Sequence, residues 1–140
     1  MRRKARENAI KYIFEKLVNG SENEVTYEIF MDELSDDGKV YYETTVAEVN
    51  SKFDFIKSII ARYATAYKED RLYKLDLAIM SVATYEILFT DIPDKVSVNE
   101  AVEIAKIYST DNSPSFINGL LAVVIKNKTE LVEEYERKDN

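Results

Sequence analysis

The sequence contains no cysteine and no histidine, and only three glycines and two prolines in 140 residues. Without cysteine there is no disulfide framework, no thiolate zinc site and no thiol nucleophile. Without histidine the Ser-His, Cys-His and His-rich metal arrangements cannot be built, which removes most hydrolase mechanisms. Neither a GxxxxGK[ST] nor a GxGxxG segment is present to cradle a nucleotide phosphate. The adjacent carboxylates Asp36 and Asp37, or Glu133 and Glu134, do not face one another on a helix, so they make poor acid-base pairs. The expectation is a binding protein with no catalytic residue, no metal and no cofactor. Long apolar runs are also missing, since none approaches the ~20 residues a membrane span needs. The start, Met1 to Glu7, carries charge where a signal peptide would need an apolar core. A cytoplasmic protein is expected, and the lack of cysteine fits a reducing compartment.

An overall cationic balance is absent too: the formal net charge is -7. Phosphate binding usually leaves a basic footprint, so the total alone argues against a nucleic-acid partner. The distribution argues otherwise. Arg2, Arg3, Lys4, Arg6 and Lys11 crowd the start against the single acid Glu7, whereas residues 22–48 carry nine acids and one base, Lys39. The chain reads as a cationic start on an acidic body.

Hydrophobic residues make up 46% and charged residues 32%, the balance of a helical globule of one domain. Ile10, Ile13, Phe14, Leu17 and Val18 repeat at the 3.6-residue period, and Asn19 and Gly20 end that helix. Ser21-Glu22-Asn23-Glu24 is a capping-box pattern opening a helix to about Leu34. Residues 35–38 read as a loop before a third helix around Val40 to Val49, whose β-branched residues weaken it. Phe53, Ile56, Ile59, Ile60, Tyr63 and Tyr67 trace a fourth. Residues 72–89 are apolar on nearly every side and predict a central buried helix, in which Tyr85 and Glu86 form an internal polar link. Ser97-Val98-Asn99-Glu100 is a second capping box, and Ser113-Pro114 predicts an N-cap with proline in the first turn of a helix through Ile125. The tail from 127 to 140 reads as a charged, solvated run, helical over 129–137. With no period-two segment, the fold class is all-α: a compact bundle of about seven helices, or two fused small bundles.

Three segments together resemble the NusB family. They are Arg2-Arg3-Lys4-Ala5-Arg6-Glu7; Arg71-Leu72 with Leu75-Asp76, Ala78-Ile79-Met80 and Ala83-Thr84-Tyr85-Glu86-Ile87; and the most specific, residues 93–108 (PDKVSVNEAVEIAKIY) with Phe116-Ile117-Asn118-Gly119-Leu120-Leu121. The resemblance implies an all-helical transcription antitermination factor that binds boxA-type single-stranded RNA together with the ribosomal protein NusE. Such a factor works within the RNA polymerase antitermination complex and supports ribosomal RNA transcription. It also admits a homodimer of the free protein. The implied RNA contacts are Arg2, Arg3, Lys4 and Arg6 in a basic arm over 1–8, and Asn112, Ser113, Ser115 and Phe116 at the start of the last long helix. Arginine can neutralise phosphate and stack on splayed bases, a short flexible arm can order on binding, and Phe116 could stack or pack in the core.

Asn99 sits in a capping box, and Asn118-Gly119 reads as close helix packing or a buried hydrogen bond. The chain departs from the family at Leu77 and Ser81, where basic residues are common, and at Tyr67, where tryptophan is; these departures would weaken RNA binding. Asn112 stands where an acid is common, which favours phosphate. A competing expectation is a helical protein-interaction module that has lost strong RNA binding. RNA cytosine methyltransferases also carry a NusB-like region, but a sequence ending at Asn140 is expected to be no such enzyme.

Overall fold

The computed structural model describes residues 2–64 and 72–139, so the expectations on Tyr67 and Arg71 lie outside the described residues. Among the described residues there are eight helices and no strands: α1 (Arg2–Asn19), α2 (Glu24–Asp32), α3 (Asp36–Ser51), α4 (Phe53–Tyr63), α5 (Lys74–Phe89), α6 (Asp94–Tyr108), α7 (Ser113–Lys126) and α8 (Lys128–Asp139). No described helix is long and apolar enough to cross a membrane.

The expected central helix is α5. Every residue from Asp76 to Leu88 is buried, and α5 touches α1, α3, α4, α6, α7 and α8. A helix with no polar face is stable only where neighbours cover it on all sides. Around it lies the larger apolar core, with Ile56, Ile59 and Ile60 from α4, Ile104 from α6, and Ile117 and Leu121 from α7. A smaller core joins Ala5, Ala9 and Tyr12 of α1 to Leu34 and Tyr42. Helix α1 serves both, presenting Ala5, Ala9 and Tyr12 to one and Ile10 and Ile13 to the other. The expected all-helical fold is thus packed around two apolar cores that share α1. Val18, placed on the buried stripe by its spacing, is instead half exposed at the helix end.

Several boundaries move. Asn23 rather than Ser21 caps α2, its side chain accepting from the Thr26 amide. The segment read as a loop is the start of α3, because the Ser35 hydroxyl accepts from the Gly38 amide and launches the helix at Asp36. At Gly38 a Cβ would crowd the capping turn itself, meeting the Leu34 Cβ and Ser35 Oγ at 3.3 Å, while Ala5 of α1 at 3.6 Å is an ordinary contact. Helix α6 begins at Asp94, so Ser97 is inside the helix and not its cap. The charged tail is α8, and its inner side is not solvated. Leu131 is 2% exposed, and the Tyr135 ring meets Phe55 and Phe89 edge-on.

Candidate nucleic-acid interface

The cationic start is the first two turns of α1 and not an arm standing off the body. Its side chains part ways according to the helical period. Arg2 and Lys4 are exposed, Arg3 is partly exposed, and Arg6 is 3% exposed. Burying a guanidinium requires a charge partner and filled hydrogen bonds, and α5 supplies them through Glu86, itself fully buried. Arg6 Nε donates to Glu86 Oε2 at 2.9 Å and Nη2 to Oε1 at 3.1 Å. Ser97 Oγ donates to Glu86 Oε1 at 2.8 Å, and the Tyr41 hydroxyl donates to Oε2. Burial alone would lower the Arg6 pKa; the facing Tyr41, Glu86 and Glu100 more than offset that, leaving it raised. Burial and the Glu86 charge push the Tyr41 phenol up.

Glu86 therefore ties α1, α3 and α6 to the central helix, the internal polar link expected of it. The same contacts correct the reading of Arg6. Its guanidinium is occupied inside the protein and is not presented to phosphate. They also explain Ser97, whose hydroxyl serves Glu86 instead of the helix end.

Arg6 also reaches Glu100 of α6 at 3.2 Å, and Arg3 grips the same carboxylate through Nε and Nη2. The Arg3 hydrogen bonds hold the Glu100 carboxyl below the usual range against the opposing effect of burial. Lys4 pairs with Glu33 at 3.4 Å. Arg2 makes no ion pair among the described residues and lies over the Tyr41 ring at 5.5 Å.

A second buried carboxylate, Asp76, stands ten residues before Glu86, about 15 Å along the helix. Ser109 Oγ donates to it at 2.6 Å and Ser113 Oγ at 2.8 Å, while the Thr110 amide donates to Ser113 Oγ at 3.3 Å. These bonds pin the α6–α7 turn to α5. Ser113 is thus buried at 2% and holds the turn in place, with Asn112 in the N-cap position before it. Asn112 and Ser115 are exposed beside it, and Phe116 is half-buried and packed against the larger core.

Helix α1 carries Arg3, Glu7 and Lys11 at four-residue spacing on the side facing α6. Arg3 meets Glu100, the Tyr108 hydroxyl reaches Glu7 at 3.5 Å, and Lys11 Nζ lies 4.9 Å from the Tyr108 ring. The α1–α6 seam runs from Arg3 and Glu100 through Glu7 to Lys11 and Tyr108, with Arg2 and Lys4 turned toward Tyr41 and Glu33 at its start. Lys11 and Tyr108 were not among the expected contacts; the 3, 7, 11 spacing was the available signal. The first turn of α7 contains no acid, but its amides are largely engaged: Ser113 and Phe116 donate to the Thr110 and Asn112 carbonyls, and Pro114 has no N–H.

Leu77 and Ser81 are buried at 7% and 0%. Both side chains therefore lie inside the central helix packing and not on this surface. Asn99, Asn118 and Gly119 are exposed, and nothing lies within 4 Å of where a Gly119 Cβ would be. Close packing within the chain does not account for that glycine. The carboxylates Asp36, Asp37 and Glu133 are exposed, and Glu134 is engaged by Arg62 at 2.8 Å. Among the described residues no cluster of carboxylates could hold a metal ion.

The model of the NusB family matches residues 3–126. The chain is 41% identical over 130 residues to the transcription antitermination protein NusB of Clostridium novyi, covering 89% of this chain and 98% of that protein. Over 136 residues it is 36% identical to the protein of the same name from Alkaliphilus oremlandii, covering 95% and 99%. Among solved structures it is similar to T. maritima NusB, with a TM-score of 0.81, 31% identity and coverage of 95% and 97%. It also shares its fold with a crystal structure of antitermination factors NusB and NusE in complex with dsRNA, at a TM-score of 0.80, 20% identity and coverage of 89% and 96%.

Proposed function

The chain belongs to the NusB family, and from that premise we propose that it is a transcription antitermination factor binding boxA-type single-stranded RNA together with NusE. It acts in the cytoplasm by binding and not by catalysis, as one domain over residues 1–140, and supports ribosomal RNA transcription within the RNA polymerase complex. The observation that carries the RNA-binding reading is the exposure of Arg2 and Lys4 at the start of α1 and of Asn112 and Ser115 at the α6–α7 turn. Arg2 and Lys4 supply cations, and Tyr108 supplies a half-exposed ring beside Lys11.

The seam's own ion pairs favour a role for the partner. Arg3 and Lys4 each hold a carboxylate, so phosphate must compete for them. On an acidic body this competition makes RNA affinity depend on cationic surface brought by NusE. The alternative, a protein-interaction module without strong RNA binding, draws on the same pairs.

Titration of a boxA-like strand and a scrambled strand of equal length, with and without NusE, tests the proposal. Preferential binding of the boxA-like strand, strengthened by NusE, is the expected result. Equal and weak binding of both strands under both conditions favours the interaction module.

A further inference from the structure

Beside the Arg2 end of the seam lies a cavity of about 440 Å³, walled by α3, the start of α1 and the loop after α5. Its aromatic walls are Tyr41 and Tyr85, and Val40, 68% exposed, forms an apolar rim that none of the described residues covers. Tyr41 is fixed in place because its hydroxyl is bound to Glu86 and its ring lies beneath the Arg2 guanidinium. Tyr85 is 6% exposed, yet its hydroxyl makes no hydrogen bond among the described residues. Asp37 and Asp91 add carboxylates, and Thr44 adds an exposed hydroxyl.

We infer that this cavity is a pocket for one unstacked nucleobase, selective for an amino-bearing base such as cytosine or adenine over uracil. The inference rests on the RNA-binding reading above and adds a base-specific subsite to it. A planar ring fits aromatic and aliphatic walls, and stacking is tolerant of which base is present. Discrimination comes from the polar groups. Carboxylates accept hydrogen bonds and donate none, so they pair with the exocyclic amine of cytosine or adenine and repel the carbonyl oxygens of uracil. The same two carboxylates keep phosphate out of the cavity, while Arg2 at its mouth, in no ion pair among the described residues, meets the phosphate attached to the base.

Two readouts test the pocket. Amide NMR of the full chain is followed during titration with CMP, AMP and UMP to millimolar concentration. Dissociation constants for a boxA-like strand are measured with NusE present, for the wild type and for Thr44→Trp, which fills the cavity from an exposed helical position. CMP and AMP shift the amides of Thr44 and Asp91 at several-fold lower concentration than UMP, and Thr44→Trp abolishes those shifts. Losing a stacked base weakens RNA binding roughly tenfold, and the salt slope flattens by no more than about 0.7, the share of the one phosphate that Arg2 meets beside the base.

Should circular dichroism show that Thr44→Trp does not fold, Val40→Asp, which adds a third carboxylate at the rim, replaces it with the same expectation. Wild-type RNA affinity in the variant, with no mononucleotide shifts, overturns the pocket and leaves RNA binding intact. A variant that loses NusE affinity but keeps RNA affinity also overturns it, assigning the cavity to a basic protein side chain. If the wild type binds no RNA even with NusE, the RNA-binding reading fails. The mononucleotide titration then decides the pocket alone, shifts at Thr44 and Asp91 supporting it and their absence overturning it.

Discussion

Arg6→Ala is the substitution whose consequence the buried network fixes most firmly. In the wild type the Glu86 carboxylate receives two bonds from Arg6, one from Ser97 and one from Tyr41, with no exposure to water. Removing the guanidinium leaves a buried charge with only neutral donors. Breaking such a pair from one side costs about 3–5 kcal/mol, because the remaining charge loses its compensation while staying desolvated. Against a total stability of roughly 5–15 kcal/mol, that is a large share, and it lowers the melting temperature by roughly 10 °C or more. Urea unfolding followed by circular dichroism measures the loss. Arg6→Met combined with Glu86→Gln separates charge from packing. Removing both charges recovers more than about 1 kcal/mol relative to Arg6→Ala, since the penalty belongs to the stranded carboxylate. A loss under about 1 kcal/mol for Arg6→Ala, or no recovery in the double variant, refutes the assignment of Arg6 to the interior.

Ser97→Ala costs about 1–3 kcal/mol by removing a donor from buried Glu86, and the loss disappears in a Glu86→Leu background, which a helix-capping role would not allow; a double-mutant cycle in urea decides. Leu131→Ala costs about 2–5 kcal/mol in the same assay if α8 is part of the core, whereas a solvated tail would give almost no change. The depressed Glu100 carboxyl contributes stability that is present above the ordinary carboxylate pKa of about 4.3 and is lost as pH falls through its lower folded value. Unfolding midpoints measured from pH 7 down to 3 should therefore fall less steeply below about pH 4.3 in Glu100→Gln than in the wild type, and parallel profiles would contradict the linkage.

What could be read from residues alone was what local periodicity encodes. The all-apolar stretch through Ala78, Val82 and Leu88 has only one stable placement, at the centre, and the structure puts it there. Charges and hydroxyls were less legible. Arg6 looks like its neighbours Arg2 and Arg3 in composition, and what buries it is a carboxylate 80 residues away. Ser97 and Glu100 have the spacing of a capping box, but each is engaged elsewhere, by Glu86 and by the α1 arginines. Ser113 is the first residue of α7 and not the N-cap its pairing with Pro114 suggested, a place Asn112 takes, and its burial against Asp76 follows from a turn that no local pattern reveals. The tail looked solvated because its charged residues outnumber Leu131 and Tyr135, the two that dock it. Gly119 has no intramolecular explanation.

The exposed cationic face of α1 is the central claim, and the salt dependence of RNA binding tests it most directly. Dissociation constants for a boxA-like strand are measured with NusE across a salt series, for the wild type and for the double variant Arg2→Ala, Lys4→Ala. Each phosphate contact on a single strand contributes about 0.7 to the slope of log affinity against log salt. Losing two contacts flattens that slope by roughly 1 to 1.5, with Arg6→Lys keeping the wild-type slope because its head group faces Glu86. A folded double variant with the wild-type slope would contradict the claim and remove α1 from the RNA interface.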